Sequence, residues 1–452
     1  MSDRALISAF RYGYGLGRAH ATSSDELLAE LRGGDKIADE FKTHTVEDAV
    51  EIYRNVRAAN KELSQGLDGA KERRDQATRA RSKVTLEGLR ATLMRAVYTD
   101  APFRERLVHF WADHFSVSAK GPRTRLLVVP MIDGAIRPNI SGKFSDLLRA
   151  AVLDPAMLFY LDQQNSIGPN SVIGKRRSRG LNENLARELI ELHTMGVNSA
   201  YTQNDIRELA ELLTGIQFLP ERGVIYKKRQ SEPGSETVLG KTYDTDRQGR
   251  KAVDAFLEDI SLRPETARHL AAKLVTHFVG EDALEALTPK MEEAYLGSGG
   301  NLSATYRALL QQDEAWRSLG SKIKTPFEYV VSGLRVLEIP KKRIKKLTRR
   351  DYRRFIFQPM QLMGQSLFEP PGPDGWPEEA EAWMTPATLA GRLQWAMQVA
   401  DEVKTQIDPR ELLGRAIGPD RGSSALRFAV QASENKQEAI AMVLASPEFN
   451  RR

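Results

Sequence analysis

Three groups of polar residues are spaced so that they can do chemistry. The densest reads Asn182-Glu183-Asn184-Leu185-Ala186-Arg187-Glu188-Leu189-Ile190-Glu191-Leu192-His193. On a helix over 182–195, 100° per residue gathers Leu185, Ala186, Leu189, Ile190 and Leu192 on one broad face. Asn184, Arg187, Glu188 and Glu191 share the other face, and His193 falls within the apolar arc. Carboxylates at i and i+3, as Glu188 and Glu191 are, can bring two oxygens to one cation, although the Glu-x-x-His spacing of di-iron bundles is absent. The competing reading is a solvated ladder, because Glu183–Arg187 and Arg187–Glu191 are i, i+4 pairs worth only ~0.3–0.5 kcal/mol each.

The second group is His109-Phe110-Trp111-Ala112-Asp113-His114-Phe115. His114 follows Trp111 by three and Leu107 by seven residues, which puts it on the apolar stripe of a helix over 102–116, with His109 and Asp113 opposite. A lone histidine on such a stripe is most often a hydrogen-bonded core residue. Because His114 and His193 both point inward, they are also the best candidates for a shared interior site. In that reading Glu188 or Glu191 is a ligand or base, and His193 or His114 a proton carrier or ligand. His114, Glu188 and His193 are then the candidate ligands of a divalent metal.

The third group, Arg268, His269, Lys273 and His277, lies on a helix over 264–279 beside the apolar set Ala267, Leu270, Ala271, Leu274 and Phe278. Periodicity favours a snorkelling, solvated edge. The functional alternative is a site for a phosphate, sulfate or carboxylate, with Arg187, Arg268 and Lys273 as its cations and Trp376 as a further substrate contact.

These residues must be positioned mostly by helices. Helical periodicity covers 46–65, 68–98 (the two meeting near Gly66 and Gly69), 102–116, 182–195, 251–259, 264–279, most of 288–338, 386–404, 409–416 and 434–445. Thr202 with Asp205 three residues on reads as a capping pair for another. Residues 216–243 break the pattern: Val224-Ile225-Tyr226 and Val238-Leu239 flank Pro233-Gly234, a small β-hairpin or irregular flap. The expectation is a mainly α, multi-helix bundle-like body with a small β-hairpin insertion around 216–243. A soft boundary near 245 separates helical halves 1–245 and 246–452. Residues 369–377, rich in proline and glycine, form a loop carrying Trp376.

Composition removes several classes. The 452 residues contain no cysteine, so a disulfide framework, a thiolate zinc site, an iron–sulfur cluster and a cysteine nucleophile are excluded. Any metal centre is restricted to histidine and carboxylate donors. No P-loop, Gly-x-Ser-x-Gly or His-Glu-x-x-His occurs. The glycine-rich Tyr12–Arg18 stretch follows no strand and reads as a tight turn. The net charge of +6 is small beside 66 basic and 60 acidic side chains. The basic run 341–354 reads first as a solvated face, with an anionic membrane surface or, less favoured, nucleic acid as its partner. No stretch approaches the ~18 apolar residues of a membrane span. Ala5-Leu6-Ile7 is too short for a signal peptide, which leads to a cytoplasmic expectation with a periplasmic or envelope-associated alternative.

Several blocks together resemble a bacterial family, the domain of unknown function 1800. They are Phe110–Phe115, Asn182–Val197, Tyr201–Ile206 with Leu213-Thr214-Gly215, Pro264–Arg268, Lys273-Leu274, His277-Phe278-Val279, Pro370-Pro371 and Gly375-Trp376-Pro377. The resemblance covers almost the whole chain. It implies no established reaction. It does imply an association with proteins similar to sulfatases and alkaline phosphatases, encoded nearby, and hence envelope-related chemistry. On that basis the chain is either a hydrolase or group-transfer enzyme with an interior His/carboxylate site, or a non-catalytic scaffold for a sulfatase-like partner with the Trp376 loop as its docking surface. Many relatives carry a His-Asp pair between the hairpin strands; here residues 228–234 contain no histidine.

Overall fold

The computed structural model describes residues 3–16, 21–177, 180–317, 319–403 and 407–452. Gly17 and Arg18 of the glycine-rich stretch, and residue 404 at the end of the expected 386–404 helix, lie outside them.

The principal helices are α1 (Val46–Ser64), α2 (Ala70–Tyr98), α3 (Pro102–His114), α4 (Asn184–Glu191) and α5 (Gln203–Leu212). After the strands come α6 (Arg250–Ser261), α7 (Pro264–Phe278), α8 (Leu284–Gly297), α9 (Pro326–Val336), α10 (Pro386–Glu402), α11 (Pro409–Ile417), α12 (Ser424–Ala432) and α13 (Lys436–Ala445). Their starts follow local chemistry. Thr45, Thr202 and Thr325 each close a capping box with the acid three residues on, and α3, α7, α9 and α10 begin with proline, whose missing N–H costs nothing there. The turn joining α1 to α2 places Gly66 and Gly69 at φ +69°, a conformation that favours glycine.

Two small antiparallel sheets complete the fold: β1 (Ile216–Leu219) with β2 (Gly223–Tyr226), and β3 (Ser235–Val238) with β4 (Lys241–Asp244). Ile216 pairs with Tyr226 and Ser235 with Asp244. The two extended runs seen in the sequence therefore belong to different hairpins. Leu239 and Gly240, both at positive φ, close the second one as a two-residue loop, so Val238 turns back onto Lys241 rather than onto 224–226.

Buried apolar side chains form two large clusters. The larger draws on residues 7–316 and runs straight through position 245, joining Leu209 and Leu213 to Val253, Phe256 and Leu270. The second is built from 327–449 plus Tyr14, Ile37, Phe41 and, from α2, Ala91, Leu93, Met94, Ala96 and Val97. α2 also rests Val84, partly buried, against the first cluster, and so touches both. No described helix is long and apolar enough to cross a membrane.

The helix expected over 182–195 is shorter than its periodicity suggested. It ends at Glu191, where the N–H groups of Leu192 and His193 both bond to the Glu188 carbonyl (2.9 and 3.0 Å). The Thr194 hydroxyl donates to the Leu189 carbonyl at 2.6 Å, and Gly196 at φ +88° completes the turn. His193 therefore sits in a buried turn, where helical spacing no longer describes its direction.

Candidate functional site

A cavity of about 590 Å³ lies between α3, α7 and the loop around 365–379. α3 contributes Arg106, His109 and Asp113, at i, i+3 and i+7; α7 contributes His269, Lys273 and His277, at i, i+4 and i+8. Each helix buries its apolar arc elsewhere and turns this polar stripe toward the other. Phe110, Met131, Ile132, Phe327 and Leu367 give the cavity apolar walls between these groups.

Asp113 fastens the third wall. Its carboxylate accepts the Trp376 N–H at 3.0 and 3.3 Å. Gly375 makes this approach possible: its φ is +87°, and a Cβ there would lie 2.8 Å from both the Asp113 carbonyl and its carboxylate. Burial raises the Asp113 carboxyl to about 7, against the pull of the Trp376 N–H and Lys273, with Glu378 and Asp374 adding to the rise. Lys273 stands in the middle of the α7 stripe and makes no hydrogen bond or ion pair with a described residue. Burial lowers its ammonium pKa, opposed by Asp113, Glu378 and Asp374.

Two closed networks flank this centre. Glu328 is held between Arg106 and Arg452, the latter at 3.2 Å, and its Oε2 also accepts the Thr325 N–H of the α9 capping box at 3.0 Å. Burial pushes Glu328 up, but the two guanidinium groups outweigh it and hold the carboxyl down to about 2. Glu378 accepts from His277 Nδ1 at 2.6 Å and pairs with Lys322 at 2.7 Å. Burial pushes it up, but His277 first, then Lys322 and Arg452, hold it well below the usual carboxylate range. These carboxylates are matched by cations; Lys273 has no such partner in contact.

At the other end, histidines grip the turn after α4. His114 Nε2 donates to the His193 carbonyl and His269 Nε2 to the Leu192 carbonyl, both at 3.1 Å. These acceptors fix the Nε2–H tautomer in both rings and leave each Nδ1 as a bare acceptor. The His114 ring centroid is 6.1 Å from that of His193 and 6.3 Å from that of His269. His193 is fully buried, and neither ring nitrogen has a partner. Burial, followed by the nearby Lys273, pushes His114 well below its ordinary value, His193 to about 3 and His269 to about 4, so all three rings are neutral at physiological pH.

The sequence-derived candidates separate accordingly. His114, Lys273 and Trp376 line the cavity, and His193 packs directly behind His114. Glu188 and Glu191 do not line it. Arg187 bridges Glu183 and Glu191 at 3.3 and 3.4 Å, and Tyr201 donates to Glu191 at 3.0 Å, so this side of α4 is the solvated ladder. Arg268 points to solvent and pairs with Glu292 at 3.1 Å. His114, Glu188 and His193 do not bring three ligand atoms within 4.8 Å of one another. Among the described residues the group that does is Glu208, Glu211 and Glu236, which the sequence reading missed because it forms only where strand β3 packs on α5. Burial, with repulsion from Glu211 and Glu208, raises the Glu236 carboxyl to about 8.

Sequence reasoning also passed over Glu328 and Glu378, and it placed Asp113 only on the helix face opposite the apolar stripe of His114. A usable signal existed in the α7 stripe: His269, Lys273 and His277 repeat every four residues, which demands one common environment. In the 228–234 segment, where relatives were expected to carry a His-Asp pair, Glu232 is buried and accepts the Asn170 N–H and Nδ2 at 2.9 and 2.6 Å, a structural tie.

No curated protein and no solved structure matches the chain. One family model does, over residues 9–451, and its description is "Protein of unknown function (DUF1800)". The match includes both polar stripes, the Trp376 loop and both apolar clusters, and the chain belongs to the DUF1800 family.

Proposed function

We propose that the cavity is an active site for proton-dependent hydrolysis or group transfer on a small anionic substrate. One observation carries this reading: a lysine with no contact partner stands in a cavity beside a carboxyl group that burial pushes up to about 7. Lys273 binds the phosphate, sulfate or carboxylate of the substrate. Asp113 exchanges the proton, its carboxyl poised where both forms are populated at pH 7. The neutral rings of His114 and His269 form a polar back wall, and the apolar wall around Phe110 and Leu367 takes the uncharged part of the substrate. An envelope-related substrate fits the family resemblance.

The test is a panel of chromogenic carboxylate, phosphate and sulfate esters with wild type, Asp113→Asn and Lys273→Met. Asp113→Asn should lose ~10²–10⁴-fold in kcat together with the activity limb at about pH 7. Lys273→Met should act mainly by raising KM. A wild type inactive on every ester and unshifted in melting temperature by phosphate, sulfate or simple carboxylates would overturn the reading.

A second reading, a non-catalytic partner of a sulfatase-like protein, draws on the fact that His114 and His269 both hydrogen-bond backbone carbonyls, as structural histidines do. A tagged chain that brings down a stoichiometric partner while all three variants behave alike would favour it.

A further inference from the structure

We propose that the basic segment 341–354, together with Leu362, Leu393 and Met397, is a surface that binds the anionic headgroups of a lipid bilayer. The segment holds nine basic residues and one acid. It is fixed to the body by Ile344, Tyr352 and Ile356, which are buried in the second apolar cluster, so its cations stand on an ordered ridge. The single acid is already engaged: Asp351 caps the short helix Arg349–Tyr352, accepting the Thr348 N–H at 2.9 Å and its hydroxyl at 2.7 Å. Lys341 pairs with Glu40 at 2.7 Å and Arg354 with Glu402 at 4.0 Å. Lys342, Lys345, Lys346, Arg349, Arg350 and Arg353 are exposed and form no ion pair with a described residue.

Apolar side chains stand near this ridge, Leu362 on a groove beside Arg354 and Leu393 and Met397 on the neighbouring helix α10. A shallow groove has Arg354, Gln358, Pro359 and Leu362 on one bank and Gln394 and Gln398 of α10 on the other. The end of α10 touches the basic segment through Glu402, which meets both Arg343 and Arg354. Leu393 and Met397, one turn apart on α10, and Leu362 are 42%, 63% and 51% exposed, high values for side chains of this size. Cations beside protruding apolar side chains match the boundary between anionic headgroups and acyl chains. They match nucleic acid poorly. The ridge offers no exposed ring for base stacking: Tyr352 is buried beneath Arg90, and Phe355 and Phe357 are half-buried.

The surface is separate from the cavity, so it is tested without reference to the reaction. The full chain is co-sedimented with vesicles of phosphatidylcholine containing one-third phosphatidylglycerol, and with vesicles of phosphatidylcholine alone. Wild type should pellet with the anionic vesicles and stay in solution with the neutral ones. Replacing Lys345, Lys346, Arg349 and Arg350 by Gln should weaken binding on the order of 100-fold or more, each cation being worth about five-fold near an anionic surface. Leu393→Ser with Met397→Ser should weaken it by roughly three- to ten-fold. All these side chains are exposed, so melting temperatures should match wild type. Absence of pelleting, equal pelleting with neutral vesicles, unchanged binding by the four-Gln variant, or a DNA gel shift without vesicle binding would each overturn the proposal.

Discussion

On α4, Glu183, Arg187 and Glu191 bracket one helix face at four-residue spacing; on α7, His269, Lys273 and His277 do the same. The two stripes meet different fates. The α4 stripe faces water, and its charges pair with one another and with Gln203 and Tyr201. The α7 stripe faces α3 and the Trp376 loop across a cavity, and its neighbours fall into closed networks around Glu328 and Glu378, with Lys273 left over. Helical periodicity tells which residues share a face. It does not tell what covers that face, and cover decides whether a charge is worth tenths of a kilocalorie or several.

Three substitutions sharpen or break this contrast. The largest effect belongs to Glu328→Ala, which leaves the buried guanidinium groups of Arg106 and Arg452 without their carboxylate. Removing one member of such a network should cost ~3–5 kcal/mol in denaturant unfolding. A loss below ~1 kcal/mol would mean that water reaches this network as freely as it reaches α4. Gly375→Ala comes next. The added methyl would meet the Asp113 carbonyl and carboxylate at 2.8 Å in a backbone conformation that favours glycine, at an expected cost of ~1–3 kcal/mol. If the melting temperature is unchanged, the loop is not held on Asp113 as the geometry says. The smallest effect is that of Arg187→Ala, which removes two partly exposed i, i+4 pairs and should cost less than ~1 kcal/mol. A loss as large as that of Glu328→Ala would erase the distinction between the two stripes.

Much of the local structure was legible. The α1–α2 pair, the Thr202 cap with Asp205 and the proline starts of α3 and α7 follow from residues within one or two turns of each boundary. The inward direction of His114 followed from its place on the Leu107–Trp111 stripe, and the structure buries it. His193 also proved buried, but for a reason helical spacing could not supply: its backbone had already left the helix. The pairing of the hairpins was misjudged because Leu239 is not a residue type that announces a left-handed turn.

What the amino-acid sequence determined alone was the helical character of the chain, the absence of thiol chemistry, family membership and the grouping of polar residues on common faces. These depend on residue type and on spacings of three, four and seven, which are local quantities. Only the tertiary structure decided which polar face became a site. Glu328, Glu378 and Trp376 reach the cavity from elements more than 200 residues beyond α3 in the chain, and Asp113 acquires its shifted proton affinity from that enclosure. A carboxyl group in water titrates as its chemistry dictates; the same group walled in by a distant loop titrates as its neighbours dictate. Spacing along one helix carries no information about that wall.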